Sequence, residues 1–183
     1  MFKSTVFGAL LAICGATAAS AATLSFDGAS AGGAASYTDQ GFTFTPVRIV
    51  NGNCGAANPC LALNDNETTT ITRVGGGTFS LTSLWFQLLG RGTNNTLTVT
   101  SSVPAWVVDL PESSYPHNNG FTIDFASVFA NVTSITFTTA SNGGNVRIDD
   151  LVLVPSQVPV PAAAGMLALA LGGLGLAGRR KKA

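Results

Sequence analysis

A chain of 183 residues with nine Lys/Arg, nine Asp/Glu and a formal net charge of zero has the length of a single domain. The charge is unevenly placed: Lys3 and the run Arg179-Arg180-Lys181-Lys182 hold five of the nine cations, so residues 22–158 carry four Arg, no Lys and nine carboxylates, a formal charge of −5. That acidity excludes the basic footprint of a nucleic-acid-binding protein, and it favours solubility and cation binding without naming a ligand.

The chain opens with Lys3 as a one-charge n-region, an apolar stretch from Val6 to Ala19, and the small-x-small sequence Ala19-Ser20-Ala21. This is the pattern of a secretory signal peptide, residues 1–21, cleaved after Ala21. Cys14 follows Ile13, where lipoprotein processing wants a small residue, so its thiol is expected to leave with the leader. Two cysteines remain, Cys54 and Cys60, an even number in an exported protein.

From Thr23 the composition turns to Thr, Ser, Gly, Asn, Phe and Val without a helical period, and short alternating runs are bounded by Gly, Asn and Pro. Thr23–Phe26 opens the series, Ala29–Ala35 reads as a small-residue loop, and Gly41–Thr45 alternates again. Pro46 demotes Val47–Val50 to an edge or a continuation after a break. Asn51 to Cys60 is a loop by composition, closed at both ends by cysteine. Its small size and the oxidising export route predict a Cys54–Cys60 disulfide, whereas two thiols without a nearby Cys or His leave a zinc site half built.

Thr68–Thr72 is the next strand, and Gly75–Gly77 precedes the most hydrophobic stretch. There the apolar residues are odd-numbered in Phe79-Ser-Leu81 and even-numbered in Leu84 to Leu88. The change predicts a turn or bulge at Thr82-Ser83 and places Trp85 and Gln87 opposite the core, with Trp85 read as packing on a second face rather than as an open stacking platform. Thr96–Thr100, Trp106–Leu110, Phe121–Phe125, Ile135–Thr138 and Val146–Val154 complete the pattern. About nine or ten short strands over residues 22–155 predict an all-β domain, an antiparallel two-sheet sandwich of jelly-roll-like form.

After Pro155 the chain ends in Val158-Pro159-Val160-Pro161-Ala162, an uncharged apolar span over 162–178, and the basic stop 179–182. Seventeen residues at about 1.5 Å each cover roughly 25 Å as a single hydrophobic helix, the lower limit for crossing a bilayer core, and the four cations would hold the C-terminus on the cytoplasmic side. This tail resembles the PEP-CTERM sorting signals of exported bacterial proteins, in the variant whose motif reads Val-Pro-Leu-Pro-Ala, with Val160 in the Leu position. Tyr37–Phe44, Gly75–Ser83 and Ile148–Leu153 resemble the early, middle and last segments of such proteins. The resemblance implies an exosortase-like transpeptidase as partner, transient residence in the inner membrane, and delivery to the cell surface or extracellular polymer layer; the alternative is a permanent single-pass anchor.

Catalytic constellations are missing. His117 has Ser113 and Ser114 nearby but no Gly-x-Ser-x-Gly elbow, and Asp109 with Glu112 do not set the separation a glycosidase needs. Adjacent carboxylates at Asp149 and Asp150, joined by Asp27 or Asp39, are candidate calcium ligands, although no Asp-x-Asp-x-Asp loop is present. Sugar-binding sandwiches present an aromatic platform rimmed by amides, and Trp106, Tyr115, His117 and Asn118 are the residues that would share such an edge. The expectation is an exported, non-catalytic surface or matrix protein associated with exopolysaccharide. A carbohydrate-binding module with structural calcium is the alternative, and a secreted hydrolase is the third.

Overall fold

Alternation at period two puts one face of most strands on a core, and the thirteen strands of the described residues form two sheets that close on that core. The computed structural model describes residues 20–55, 58–90, 94–103, 106–140 and 144–156. The leader through Ala19 and the tail, with its motif, span and basic stop, lie outside the described residues. Among those residues no helix is long and apolar enough to cross a membrane.

In chain order the strands are β1 (Ala22–Leu24), β2 (Gly32–Ala34), β3 (Tyr37–Asp39), β4 (Phe42–Thr45), β5 (Val47–Val50), β6 (Cys60–Leu63), β7 (Thr68–Arg73), β8 (Phe79–Leu89), β9 (Thr96–Ser101), β10 (Val107–Pro111), β11 (Gly120–Val132), β12 (Ser134–Thr139) and β13 (Asn145–Pro155). One sheet has the order β11-β8-β13-β6-β5-β2, with β1 also on β13, and the other has the order β10-β9-β12-β7-β4-β3. Every pairing is antiparallel. The expected all-β sandwich is thus the observed fold. Strand β13 is its spine: β8 runs along one edge, while β6 and β1 share the other, against Val146–Ile148 and Leu151–Leu153.

Between the sheets lie Phe42, Phe44, Ile71, Phe79, Phe86, Phe129, Phe137, Ile148 and Leu153, all fully buried. Edge-to-face pairs order the rings, with Phe26 on Phe44 at 5.2 Å and Phe42 on Phe79 at 5.3 Å between centroids. Each such side chain contributes about 1.5–3 kcal/mol by leaving water, which is how a chain with so few charges holds together.

The parity change read at Thr82-Ser83 is a bulge. Ser83 faces Val152 and Leu81 faces Leu153, so β8 spends one extra residue at Thr82, whose hydroxyl donates to the Val152 carbonyl at 3.1 Å. A second bulge compensates in β13: Asp149 faces Trp85 and Val152 faces Ser83, leaving Asp150 extra, in left-handed conformation at φ 46°. The two insertions return Leu151 and Leu153 to the core beside Leu84 and Leu81.

Three strands depart from expectation. Gly32–Ala34, read as loop, pairs with β5 through backbone alone, so its small exposed side chains carry no alternation. Tyr37–Asp39 pairs in register with Phe42–Phe44. Cys60–Leu63 is buried at every position, a continuous apolar run whose first residue had been assigned to the cysteine loop. Pro46 marks the point where the chain leaves one sheet, at β4, and enters the other, at β5.

Candidate functional site

The residues expected to share a sugar-binding edge are divided by β10. Trp106, 43% exposed, lies on the β9–β10 hairpin beside exposed Val103 and Val107, and its N–H donates to the Val103 carbonyl. Tyr115, His117 and Asn118 follow Pro111 at the other end of the strand, about 16 Å away at roughly 3.3 Å per residue. Tyr115 is a plug rather than a platform, edge-on to both Phe86 and Phe121 at 5.1 Å. The His117 Nε2 stands 3.2 Å from Glu112 Oε2, within ion-pair distance but misaligned for a hydrogen bond. That same oxygen accepts from the backbone N–H groups of Asn94 and Asn95. Asn118 turns the chain at φ 60°, its N–H donating to the Leu88 carbonyl. A cleft of about 310 Å³ beside this knot is lined by Asn94, Thr96, Pro111, Glu112 and Ser113.

Cys54 and Cys60 are joined, with Cα atoms 5.5 Å apart. The loop they close packs on Trp85: a β-carbon on Gly55 would come within 3.1 Å of the indole, and one on Gly120 within 2.5 Å. Trp85 is therefore half-buried on the outer side of the β8 sheet, packed against Gly55 and Gly120, the packed face that its parity suggested.

Asp149 lies opposite Trp85 on the same outer side and is 1% exposed. Burial pushes its carboxyl up to about 7, assisted by the charges of Asp150 and Asp27, while the Asp150 N–H bonded to Oδ1 at 2.9 Å acts in the other direction. Of the acids named as calcium ligands, Asp150 and Asp27 are thus each near enough to act on Asp149. Among the described residues, however, no group of three or more His, Cys, Asp or Glu is arranged to hold a metal ion.

Two strands' worth of guanidinium occupy the adjoining row. Arg147 faces Gln87 on β8 and Ala62 on β6, and Arg48 faces Gly33 on β2. Arg48 is satisfied by Glu67, with Nη2 to Oε1 at 2.6 Å and Nε to Oε2 at 3.3 Å. That bond holds Glu67 below its ordinary range and Arg48 above its own. Among the described residues Arg147 donates from Nη1 to the Val146 carbonyl at 3.1 Å, and its buried Nε has no acceptor. Burial, then the charge of Arg48, lower its affinity for a proton.

The outer side of the other sheet is of different character. Ser134 lies between Thr72 and the β9 end, Thr136 between Thr70 and Thr100, and Thr138 between Thr68 and Thr98. Thr43 and Thr45 extend the first two rows onto β4, and Thr38 continues onto β3. Hydroxyls of Thr70 and Thr136 meet at 3.0 Å, as do those of Thr38 and Thr43. Among the described residues of these rows the charged group is Asp109, on the edge strand, accepting from Thr98 at 2.7 Å. Outward threonines were legible strand by strand; that they join into one face depends on the strand order, which no single run encodes.

No protein-family model and no curated protein matches the chain. Solved structures that resemble it include TmCBM61 in complex with β-1,4-galactotriose, at 12% identity over 64% of this chain and 90% of that one, with a TM-score of 0.37. A CBM29-2 mutant complexed with mannohexaose shows 18% identity over 74% and 92%, TM-score 0.43. The family 11 carbohydrate-binding module from Clostridium thermocellum, in complex with a β-1,3-1,4-mixed-linked tetrasaccharide, shows 13% identity over 78% and 99%, TM-score 0.41.

Proposed function

We propose that the chain is an exported, non-catalytic sandwich that associates with extracellular polysaccharide through the threonine face of the β9–β12–β7 sheet. The observation that carries this reading is the chemistry of that face: rows of hydroxyl and methyl groups run over adjacent strands, and the charged side chain among them stands at the edge. Hydroxyls donate and accept, so they suit the hydroxyls of a neutral glycan, directly or through water. The methyl groups suit its C–H surfaces, and the stiff χ1 of threonine keeps both in place. Trp106 and Val107 supply exposed apolar area at the β10 end.

Delivery to that polymer rests on the termini. The leader 1–21 and the tail 156–183 support export followed by recognition of Val158 to Ala162 by an exosortase-like enzyme, with the span 162–178 in the inner membrane until cleavage. The intact mass of the exported protein tests this step: a new end between Val158 and Ala162 supports sorting, and retention of Arg179 to Lys182 in membranes supports a permanent anchor.

Affinity electrophoresis against a panel of neutral polysaccharides tests the face. Retardation of the wild type, lost when Thr70→Asp and Thr136→Asp place two charges mid-face, supports the assignment; retardation unchanged by that double substitution removes it. Structural calcium at Asp149, Asp150 and Asp27 is a subsidiary proposal: the charges of Asp150 and Asp27 both act on Asp149, and side chains and further oxygens would have to close around the ion, because among the described residues these acids do not form a ligand cluster.

A further inference from the structure

We propose that one end of the sandwich, the end from which the tail departs, rests on a phospholipid surface while the chain is anchored, with Trp106 in the headgroup layer. Among the described residues the large apolar side chains left exposed are Val74, Val103, Trp106 and Val107. They belong to the β7–β8 connection and the β9–β10 hairpin, yet the strand register gathers them at a single end. Arg73 closes β7 opposite Phe42, and the Val74 N–H donates to the Gly41 carbonyl. Ser101 closes β9 and Val107 opens β10, while the Ser102 hydroxyl accepts from the N–H groups of Thr133 and Ser134, where β11 passes into β12. Three strand steps separate β10 from β7, about 14 Å.

The chain leaves the fold at the same end. Pro155 and Val132 both pair with Phe79. Ser156 is fixed there by three bonds: its N–H donates to the Thr78 carbonyl, its hydroxyl to Asn131 Oδ1 at 2.7 Å, and its carbonyl accepts from Arg73 Nη1 at 3.2 Å. Ala22, the first residue behind the leader, pairs with Leu153 beside them. Six residue steps lead from Ser156 to Ala162, a reach of at most about 22 Å. A span that begins at Ala162 therefore keeps this end near the bilayer.

Charge selects the same orientation. Of the nine carboxylates of the body, Asp39 alone closes a strand at this end. Asp65, Glu67 and Glu112 lie in connections at the opposite end, and the rest lie along the strands or beyond β1. Arg73 adds a cation. An acidic body held against anionic headgroups turns its carboxylate-poor end toward them, and tryptophan favours that interface. Binding to a bilayer scales with the apolar area buried, and four side chains bury little. The tether makes the contact intramolecular, so a weak one is enough. Cleavage of the tail would free Trp106 and Val107 for the polymer.

This inference rests on the reading of 162–178 as a span. The test places the full chain in vesicles of equal parts phosphatidylethanolamine and phosphatidylglycerol, with brominated phosphatidylcholine as quencher, and separates them by flotation. Trp106 is read as the difference between the wild type and Trp106→Phe. The wild type is expected to float, with Trp106 quenched by the bromolipid and shielded from acrylamide. Val74→Asp with Val103→Asp is expected to float and to lose that quenching. In a chain that floats, Trp106 open to acrylamide and unquenched by bromolipid overturns the lipid contact and leaves the span standing. Trp106 shielded from acrylamide yet unquenched by bromolipid assigns the tip to a second copy or to the tail, and overturns it too. Quenching retained by the double aspartate variant removes the apolar tip as its cause. Failure of the wild type to float overturns the span, and the contact with it. The decisive quenching is read on the wild-type fold, so a variant that fails to fold leaves the result intact.

Discussion

Trp85 and Gly120 are interlocked: the indole lies across the glycine so closely that a β-carbon would sit 2.5 Å from its Cζ2 and 2.6 Å from its Nε1. Strand β11 cannot carry a side chain at that point while the ring stays in place. Gly120→Ala is therefore expected to cost about 1–3 kcal/mol, the scale of overpacking, and to shift Trp85 emission to the red. Gly55→Ala, whose β-carbon would come no nearer than 3.1 Å, should cost less. Denaturant unfolding followed by fluorescence in a Trp106→Phe background reads both.

The disulfide holds the loop that covers this ring. A closed loop of this size contributes about 2 kcal/mol in the chain-entropy account. Cys54→Ser with Cys60→Ser is expected to lower stability by that order and to raise quenching of Trp85 by acrylamide, with the two-sheet circular dichroism spectrum retained. Unchanged quenching would separate the loop from the ring's burial.

Asp149 gives a pH dependence of definite sign. Its folded value, about 7, lies above the 3.8 of a free side chain, so between these values the native state holds more protons than the unfolded chain. Its contribution is complete below pH 4 and is lost as pH rises through 7, at up to about 1.4 kcal/mol per pH unit. In chelator, stability is expected to fall between about pH 4 and 7 and to level off above that, and Asp149→Asn should flatten the decline. If millimolar calcium instead raises the melting temperature most at high pH, the ionised carboxylate has found its ion. Absence of any calcium effect in the wild type would remove the calcium proposal.

Asn95 ties two turns together, its amide donating to the Leu89 and Asn145 carbonyls at 3.1 and 3.2 Å while Gly144 gives it room. Asn95→Ala removes both bonds, one of them buried and the other part-buried, and is expected to cost about 1–3 kcal/mol. Hydrogen exchange should localise the loosening to the β8 and β13 ends rather than to β4 and β7.

Much of the fold was legible because alternation is a local property. Phe121–Phe125 and Ile135–Thr138 announce their buried faces, and the parity break at Thr82-Ser83 announced a bulge before any partner strand was known. Cys60–Leu63 was missed because burial on both sides removes alternation, and Gly32–Ala34 because backbone pairing at an edge asks nothing of side chains. The site was less legible. Trp106 and Tyr115 are nine residues apart in sequence, yet a strand laid straight between them puts them at opposite ends. Arg147, Gln87 and Arg48 come together only through strand order.

The place of β13 bears on when the domain comes into being. Its residues 145–155 are the last of the sandwich to be made, yet they sit between β8 and the shared edge of β6 and β1, with Ala22 paired to Leu153. On the export route proposed above, Ala22 would wait for the last strand before its sheet could close. The body would then not complete its fold while Leu153 is still on the inner side, and would cross as an open chain. Completion of the fold would coincide with arrival of the segment Val158 to Ala162 proposed for sorting.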